Sequence, residues 1–224
     1  KTAFGTSNGA PDLDVPNSQY KGMGTSNLEV TMVNNHDTER NGNSLTYQNG
    51  KNYLMAMLYT LSEPFGVPML YSGYDFSDFN GSPQLKSGYN VCNTGTTVKS
   101  SYTPSYMICT HRWTAVQGMI RWHKWVQGQT KSRAYSDNVA YGYARGTKGF
   151  VLFNSGSGSK TFTVRTGLKP GTYCDVVSGG KSPIKIVKGK RTCVGLTVTV
   201  DAGTRLKAKV AGMTTVAIAS YSRR

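Results

Sequence analysis

The segment NNHDTER (residues 34–40) sets His36 beside Asp37 directly after the apolar stretch LEVTMV (28–33). Strands usually end in turn residues, whereas this one ends in an imidazole and a carboxylate, the pair a reaction centre would use. The bland reading is a hydrogen bond closing a strand end. Which of the two applies depends on the elements that carry the pair.

EVTMV (29–33) is β-branched and weakly alternating, and reads as a buried strand. KNYLMAMLYTLSEP then places Leu54, Met57, Leu58 and Leu61 at helical spacing, with Pro64 as the stop. GVPMLYS (66–72) is a second short strand, and a Gly/Ser/Tyr/Thr loop leads to Cys109. HRWTAVQGMIRWHKWV sets Trp113, Val116, Ile120 and His123 on one helical face. The first half therefore reads strand, helix, strand, helix, the rhythm of a parallel sheet. Residues 1–27, rich in Gly, Ser, Asn and Pro, read as loop.

Beyond Asp137 the runs VAYGYAR, GFVLFN, KTFTVR, GTYCDV, GLTVTV, TRLKAKV and TTVAIAS recur with Gly-rich turns between them. Such short alternating strands, spaced ~8–12 residues apart, predict an antiparallel sandwich. Two unlike domains are expected, 1–136 and 137–224. A two-stranded parallel unit would leave Leu54, Leu58, Leu61, Trp113 and Ile120 short of a core, so residues 1–136 are expected to need either a companion segment or an oligomeric neighbour. The sandwich is expected to fold by itself.

The chain has 224 residues with 38% hydrophobic and 11% aromatic content, enough for a substantial core. No apolar run approaches the ~18–20 residues that span a bilayer. Lys1 opens the sequence and no leader pattern follows it, so either processing or a longer parent chain is expected. Cys92, Cys109, Cys174 and Cys193 fall into two separated pairs without a Cys-x-x-Cys spacing, and only three histidines are present. Two local disulfides are a simpler reading than zinc, and they imply an oxidising, extracellular setting. A glycosylation sequon at Asn80 is compatible with secretion.

VNNHDTERNG resembles the end of the seventh barrel strand of α-amylases, glycoside hydrolase family thirteen. SEPFGVPMLYSGY is similar to the family's junction into strand eight, and Cys92 to Cys109 followed by THRWTAVQGMIRWHK to its short disulfide and last barrel helix. GFVLFNSG, TGLKPGTYCDVVSGGK, CVGLTVTV and VAIASYSRR resemble its C-terminal sandwich, domain C, of the animal and actinomycete type. The resemblance runs from about residue 30 to the end. It implies the last two βα units of a (β/α)8 barrel followed by an antiparallel Greek-key β-sandwich. It also implies that Cys92 pairs with Cys109, and Cys174 with Cys193.

By the same resemblance, the nucleophilic Asp and the acid/base Glu of strands four and five would lie before Lys1. Asp37 matches the third carboxylate, which stabilises the oxocarbenium-like transition state, and His36 the histidine that binds sugar hydroxyls. Retaining hydrolysis needs two carboxyl groups about 5–5.5 Å apart, and an Asp37/Glu39 dyad is the only local substitute. Asn34 stands where the family often has Asp. Asn35 matches a chloride-binding asparagine, but Met69 replaces the arginine that completes such a site, so no chloride is expected. Calcium ligands are expected in the N-terminal part, and no metal is assigned to these residues.

Trp113, Trp122 and Trp125, at helical spacing, read as core and rim packing; His111 and His123 read as structural. Tyr71 and Tyr74 could line the cleft. The formal charge is +15, and between Lys160 and Arg224 only Asp175 and Asp201 are acidic. Starch is neutral, so the charge serves either as a solvated face or to hold an anionic polymer such as an acidic glycan; no nucleic-acid motif is present. Two functions follow: the C-terminal portion of a secreted α-amylase acting on starch or glycogen, or an amylase-derived non-catalytic binding protein with a basic working surface.

Overall fold

The computed structural model describes residues 25–224, so most of the N-terminal stretch read as loop lies outside the described residues. Val30–Thr31 (β1) and Val67–Pro68 (β2) pair in parallel, Val30 beside Val67. Both strands are shorter than the apolar stretches that predict them. Val67 N donates to Glu29 O and Met69 N to Thr31 O, each at 2.8 Å. Pro68 between them has no N–H to add, and past Val33 the chain turns into the short helix His36–Arg40 (α1).

Lys51–Ser62 (α2) ends at Glu63, whose extended conformation (φ −70°, ψ 147°) is what a following proline imposes. Tyr53, Met55, Met57, Leu58, Tyr59 and Leu61 are all buried on it. Short strands Leu85–Lys86 (β3) and Tyr89–Asn90 (β4) form an exposed hairpin in the long loop. Thr114–Val126 (α3) buries Val116, Met119, Trp122 and Val126 completely. Its buried stripe is thus rotated from the expected one, and Ile120 is 41% exposed. The cause is the layer α3 packs on: Trp122 Nε1 donates to Ile218 O at 2.9 Å, which turns Ile120 and His123 toward a groove beside Val67, Pro68 and Leu70.

That layer is a four-stranded antiparallel sheet of Thr214–Ala219 (β14), Gly149–Asn154 (β7), Ala140–Arg145 (β6) and Lys131–Ser136 (β5), in that order. Every residue of β6 and β7 is buried. Tyr141, Tyr143, Val151, Phe153, Ala217 and Ala219 pack against the helices, while Ala144, Phe150, Leu152, Val216 and Ile218 face the second sheet. The second sheet runs Lys160–Arg165 (β8), Arg205–Val210 (β13), Thr197–Val200 (β12), Gly171–Cys174 (β9). A four-residue helix, Val176–Gly179 (α4), and an exposed hairpin, Ile184–Val187 (β10) with Lys190–Cys193 (β11), interrupt the second sheet's sequence order. The two expected disulfides, Cys92–Cys109 and Cys174–Cys193, are present.

The fold class is the expected one: the end of a barrel joined to an antiparallel β-sandwich. Two details differ. The sandwich starts at Lys131 rather than 137, because β5 pairs with β6 from Lys131 beside Arg145 to Ser136 beside Tyr141. The helices are also less bare than expected: Leu58, Leu61 and Trp113 are buried against each other and the middle sheet. That sheet has apolar residues on both faces, so the packing does not favour a sandwich that folds alone.

Candidate active site

His36 and Asp37 open α1. Asn35 caps it: its Oδ1 accepts from Asp37 N at 3.1 Å and Thr38 N at 2.9 Å, while Thr38 Oγ1 accepts from Asn35 N at 2.9 Å. This reciprocal cap fixes the backbone on which the two side chains stand. Both side chains are exposed, 77% for His36 and 73% for Asp37, with His36 Nε2 and Asp37 Oδ1 3.5 Å apart. They are brought together, and both are exposed among the described residues.

Glu39 faces the other way. It is buried, and Asn34 Nδ2 donates to its Oε2 at 2.7 Å. Asn34 Oδ1 accepts in turn from Tyr53 OH at 2.9 Å, which ties the loop to the start of α2. Burial pushes the Glu39 carboxyl up to about 7, opposed by the Asn34 hydrogen bond and the Arg40 charge. Asp37 points to solvent while Glu39 is held by Asn34 on the buried side of the segment, so the two carboxyls do not face a common space as a dyad requires. Arg40 stacks over Phe76, 4.5 Å from the ring centroid, and bonds Tyr74 OH and Phe79 O. Tyr74 is therefore committed to holding Arg40.

In the sequence Glu39 stands out only as a substitute carboxylate, and Gly73 does not stand out at all. A Cβ on Gly73 would stand 1.8 Å from Glu39 Oε1, so the glycine makes the space that the carboxyl fills. Nothing local marks either residue, because the contact joins α1 to the loop after β2, with α2 between them in sequence. Among the described residues no three His, Cys, Asp or Glu side chains converge as a cation cage. The Asn35 amide oxygen serves the helix cap, and Met69 is 42% exposed; a thioether offers an anion no donor.

The fold and this loop define a class: a barrel-end unit bearing an outward His–Asp pair, backed by a β-sandwich. Residues 131–220 match the family model described as the α-amylase C-terminal all-β domain. Over 174 residues the chain is 36% identical to an α-amylase of Tenebrio molitor, covering 76% of this chain and 35% of that protein. Over 147 residues it is 34% identical to an α-amylase of Streptomyces violaceus, covering 65% of this chain and 24% of that protein. The crystal structure of α-amylase I from Eisenia fetida superposes with a TM-score of 0.63 at 26% identity, over 85% of this chain and 40% of that one. The chain is therefore related to the C-terminal portion of α-amylases, and it spans about a quarter to a third of the curated relatives' length.

Proposed function

We propose that these residues form the C-terminal portion of a secreted α-amylase that hydrolyses internal α-1,4-glucosidic bonds of starch or glycogen with retention. The observation that carries this reading is the outward His36–Asp37 pair, held by the Asn35 cap at the edge of the parallel β1–β2 unit. In this reading the nucleophile and the acid/base belong to the portion of the protein that precedes these residues. Asp37 contributes negative charge opposite the developing oxocarbenium ion, and His36 hydrogen-bonds sugar hydroxyls. A mutant of the Eisenia fetida enzyme has been crystallised as a maltohexaose complex, which supports an α-glucan as substrate. The two disulfides support an extracellular location.

The test is Asp37→Asn in the full-length protein. Preorganised electrostatic help of this kind is typically worth ~3–4 kcal/mol, so turnover on soluble starch should fall by ~100–1000-fold while the melting temperature holds. Product anomers followed by NMR should appear first in the α form. Unchanged turnover, or β product first, overturns the reading. A native protein of only 24.3 kDa that binds but does not hydrolyse glucan supports the non-catalytic alternative instead.

A further inference from the structure

The sheet β8-β13-β12-β9 buries one face against the sandwich core and turns most of the other to solvent, with the Cys174–Cys193 disulfide covering its β9 end. On β13 the alternation is strict: Leu206, Ala208 and Val210 point inward, while Arg205, Lys207 and Lys209 point outward. The register sets Lys207 between Thr163 of β8 and Thr199 of β12, and Thr199 beside Thr172 of β9. One row, Thr163–Lys207–Thr199–Thr172, thus crosses all four strands. Outward residues repeat every ~6.8 Å along a strand and every ~4.8 Å across strands. The face is a grid of hydroxyl and cationic groups.

The outward charges on its four strands are all positive. Arg205 lies directly opposite Arg165, a like-charge pairing that works against the sheet. Asp201, in the β12–β13 turn, bonds Arg205 Nε at 3.1 Å. Arg165, Lys207 and Lys209 have no ion pair among the described residues. A face serving solubility alone would interleave both signs.

We propose that this face binds a linear anionic polysaccharide carrying carboxylate or sulfate groups along its length. Arg165, Lys207 and Lys209 contact the charged groups, and the threonine hydroxyls bond the sugar hydroxyls between them. The outward positions on the four strands hold no aromatic side chain on which bases could stack. A four-stranded sheet face also presents neither the helix nor the two-stranded ribbon that enters a duplex groove. The middle sheet and the helix layer separate this face from the His36–Asp37 loop, so polymer held here leaves that loop free. The proposal does not rest on the catalytic reading.

The test compares two variants that each lose three cations. One is Arg165→Thr/Lys207→Thr/Lys209→Thr on the sheet face; the other is Lys185→Thr/Lys188→Asn/Lys190→Thr on the exposed β10–β11 hairpin. The probes are heparin for sulfate, polygalacturonate for carboxylate, dextran as the neutral control and a single-stranded DNA oligonucleotide, each across a salt series. The wild-type protein should bind one or both anionic polysaccharides and not dextran. The face variant should bind on the order of tenfold more weakly with a shallower salt dependence, while the hairpin variant stays within about twofold of wild type. Which polysaccharide binds more tightly identifies the acid group. Equal losses in both variants, no loss in either, or tighter binding to DNA than to both polysaccharides would overturn the proposal. Circular dichroism checks the fold, and Lys207→Thr alone replaces the triple variant if that one unfolds.

Discussion

Asn34 and Glu39 are bound to each other beneath the exposed pair, Nδ2 to Oε2 at 2.7 Å, with Tyr53 OH closing the chain of hydrogen bonds at 2.9 Å. The two outward residues His36 and Asp37 are therefore mounted on an inward clamp that joins the loop to α2. The clamp contains a carboxyl group in a site that favours its neutral form. Its titration should be visible in stability.

Glu39 has its folded-state pKa raised by burial to about 7 from a reference of 4.5. For a raised carboxyl, the stabilising contribution is complete below the unfolded pKa and is lost as pH rises through the folded one. Glu39→Gln keeps a neutral acceptor for Asn34 and removes the ionisation. After a discount for partial solvent screening, the variant should be about 2 kcal/mol more stable than wild type near pH 8 and nearly equal near pH 4. Thermal melts at both pH values measure this. A Gln variant that is less stable at pH 8 would mean that Asn34 and Arg40 hold the carboxylate ionised.

Gly73 is the counterpart of that clamp. Because a Cβ there meets Glu39 Oε1 at 1.8 Å and Tyr71 at 3.0 Å, Gly73→Ala must displace Glu39 or the loop after β2. Overpacking of this kind costs about 1–3 kcal/mol. The double variant Gly73→Ala/Glu39→Ala should recover most of the loss, since the group in the way is gone. Urea denaturation of the single and double variants decides it; additive losses would show that Gly73 is required for another reason.

The sequence carries the two long helices and seven of the sandwich strands plainly, since apolar spacing and Gly-rich turns mark them, whereas the short helices α1 and α4 have no apolar period to show. The KSRAYS strand and the IKIV/KRTC hairpin are less legible. β5 is a polar edge strand recruited by its pairing with β6, and the hairpin is mostly exposed, so neither shows a clean apolar period. His36 and Asp37 are legible as a pair because their neighbours in sequence are also their neighbours in space. Glu39 is not, because its burial depends on Asn34, Tyr53 and Gly73, which come together only through tertiary packing.

The middle sheet predicts what happens when the helices are removed. A fragment of residues 131–224 would expose Tyr141, Tyr143, Val151 and Phe153, which the helices cover in the intact chain. At ~25 cal/mol per Å² of apolar surface, that loss is on the order of several kcal/mol. The fragment should melt well below the sandwich in the intact chain and bind a hydrophobic dye. A fragment that melts at the same temperature without dye binding would show that the helix layer adds nothing to the sandwich.

Arg145 is the bolt between the two parts. It is 3% exposed, and its guanidinium donates to Ser62 O at 2.7 Å, Gln129 O at 2.8 Å and Val126 O at 3.5 Å. Ser62 and Val126 are the last residues of α2 and α3, so one cation on β6 satisfies carbonyls at both helix C-termini, where positive charge is favoured. Glu63, buried beside it and paired with Lys131 at 2.8 Å, helps to keep Arg145 charged against the effect of burial. Arg145→Met would strip donors from buried carbonyls and leave the nearby Glu63 charge less well compensated. That should cost about 3 kcal/mol or more. Arg145→Lys should recover only part of it, because an ammonium cannot span three carbonyls as a planar fork does. Urea unfolding followed separately by α-helical circular dichroism and tryptophan fluorescence should change from one transition in wild type to two in Arg145→Met. Full rescue by lysine, or a single coincident transition in the Met variant, would mean that the apolar contacts alone couple the helices to the sandwich.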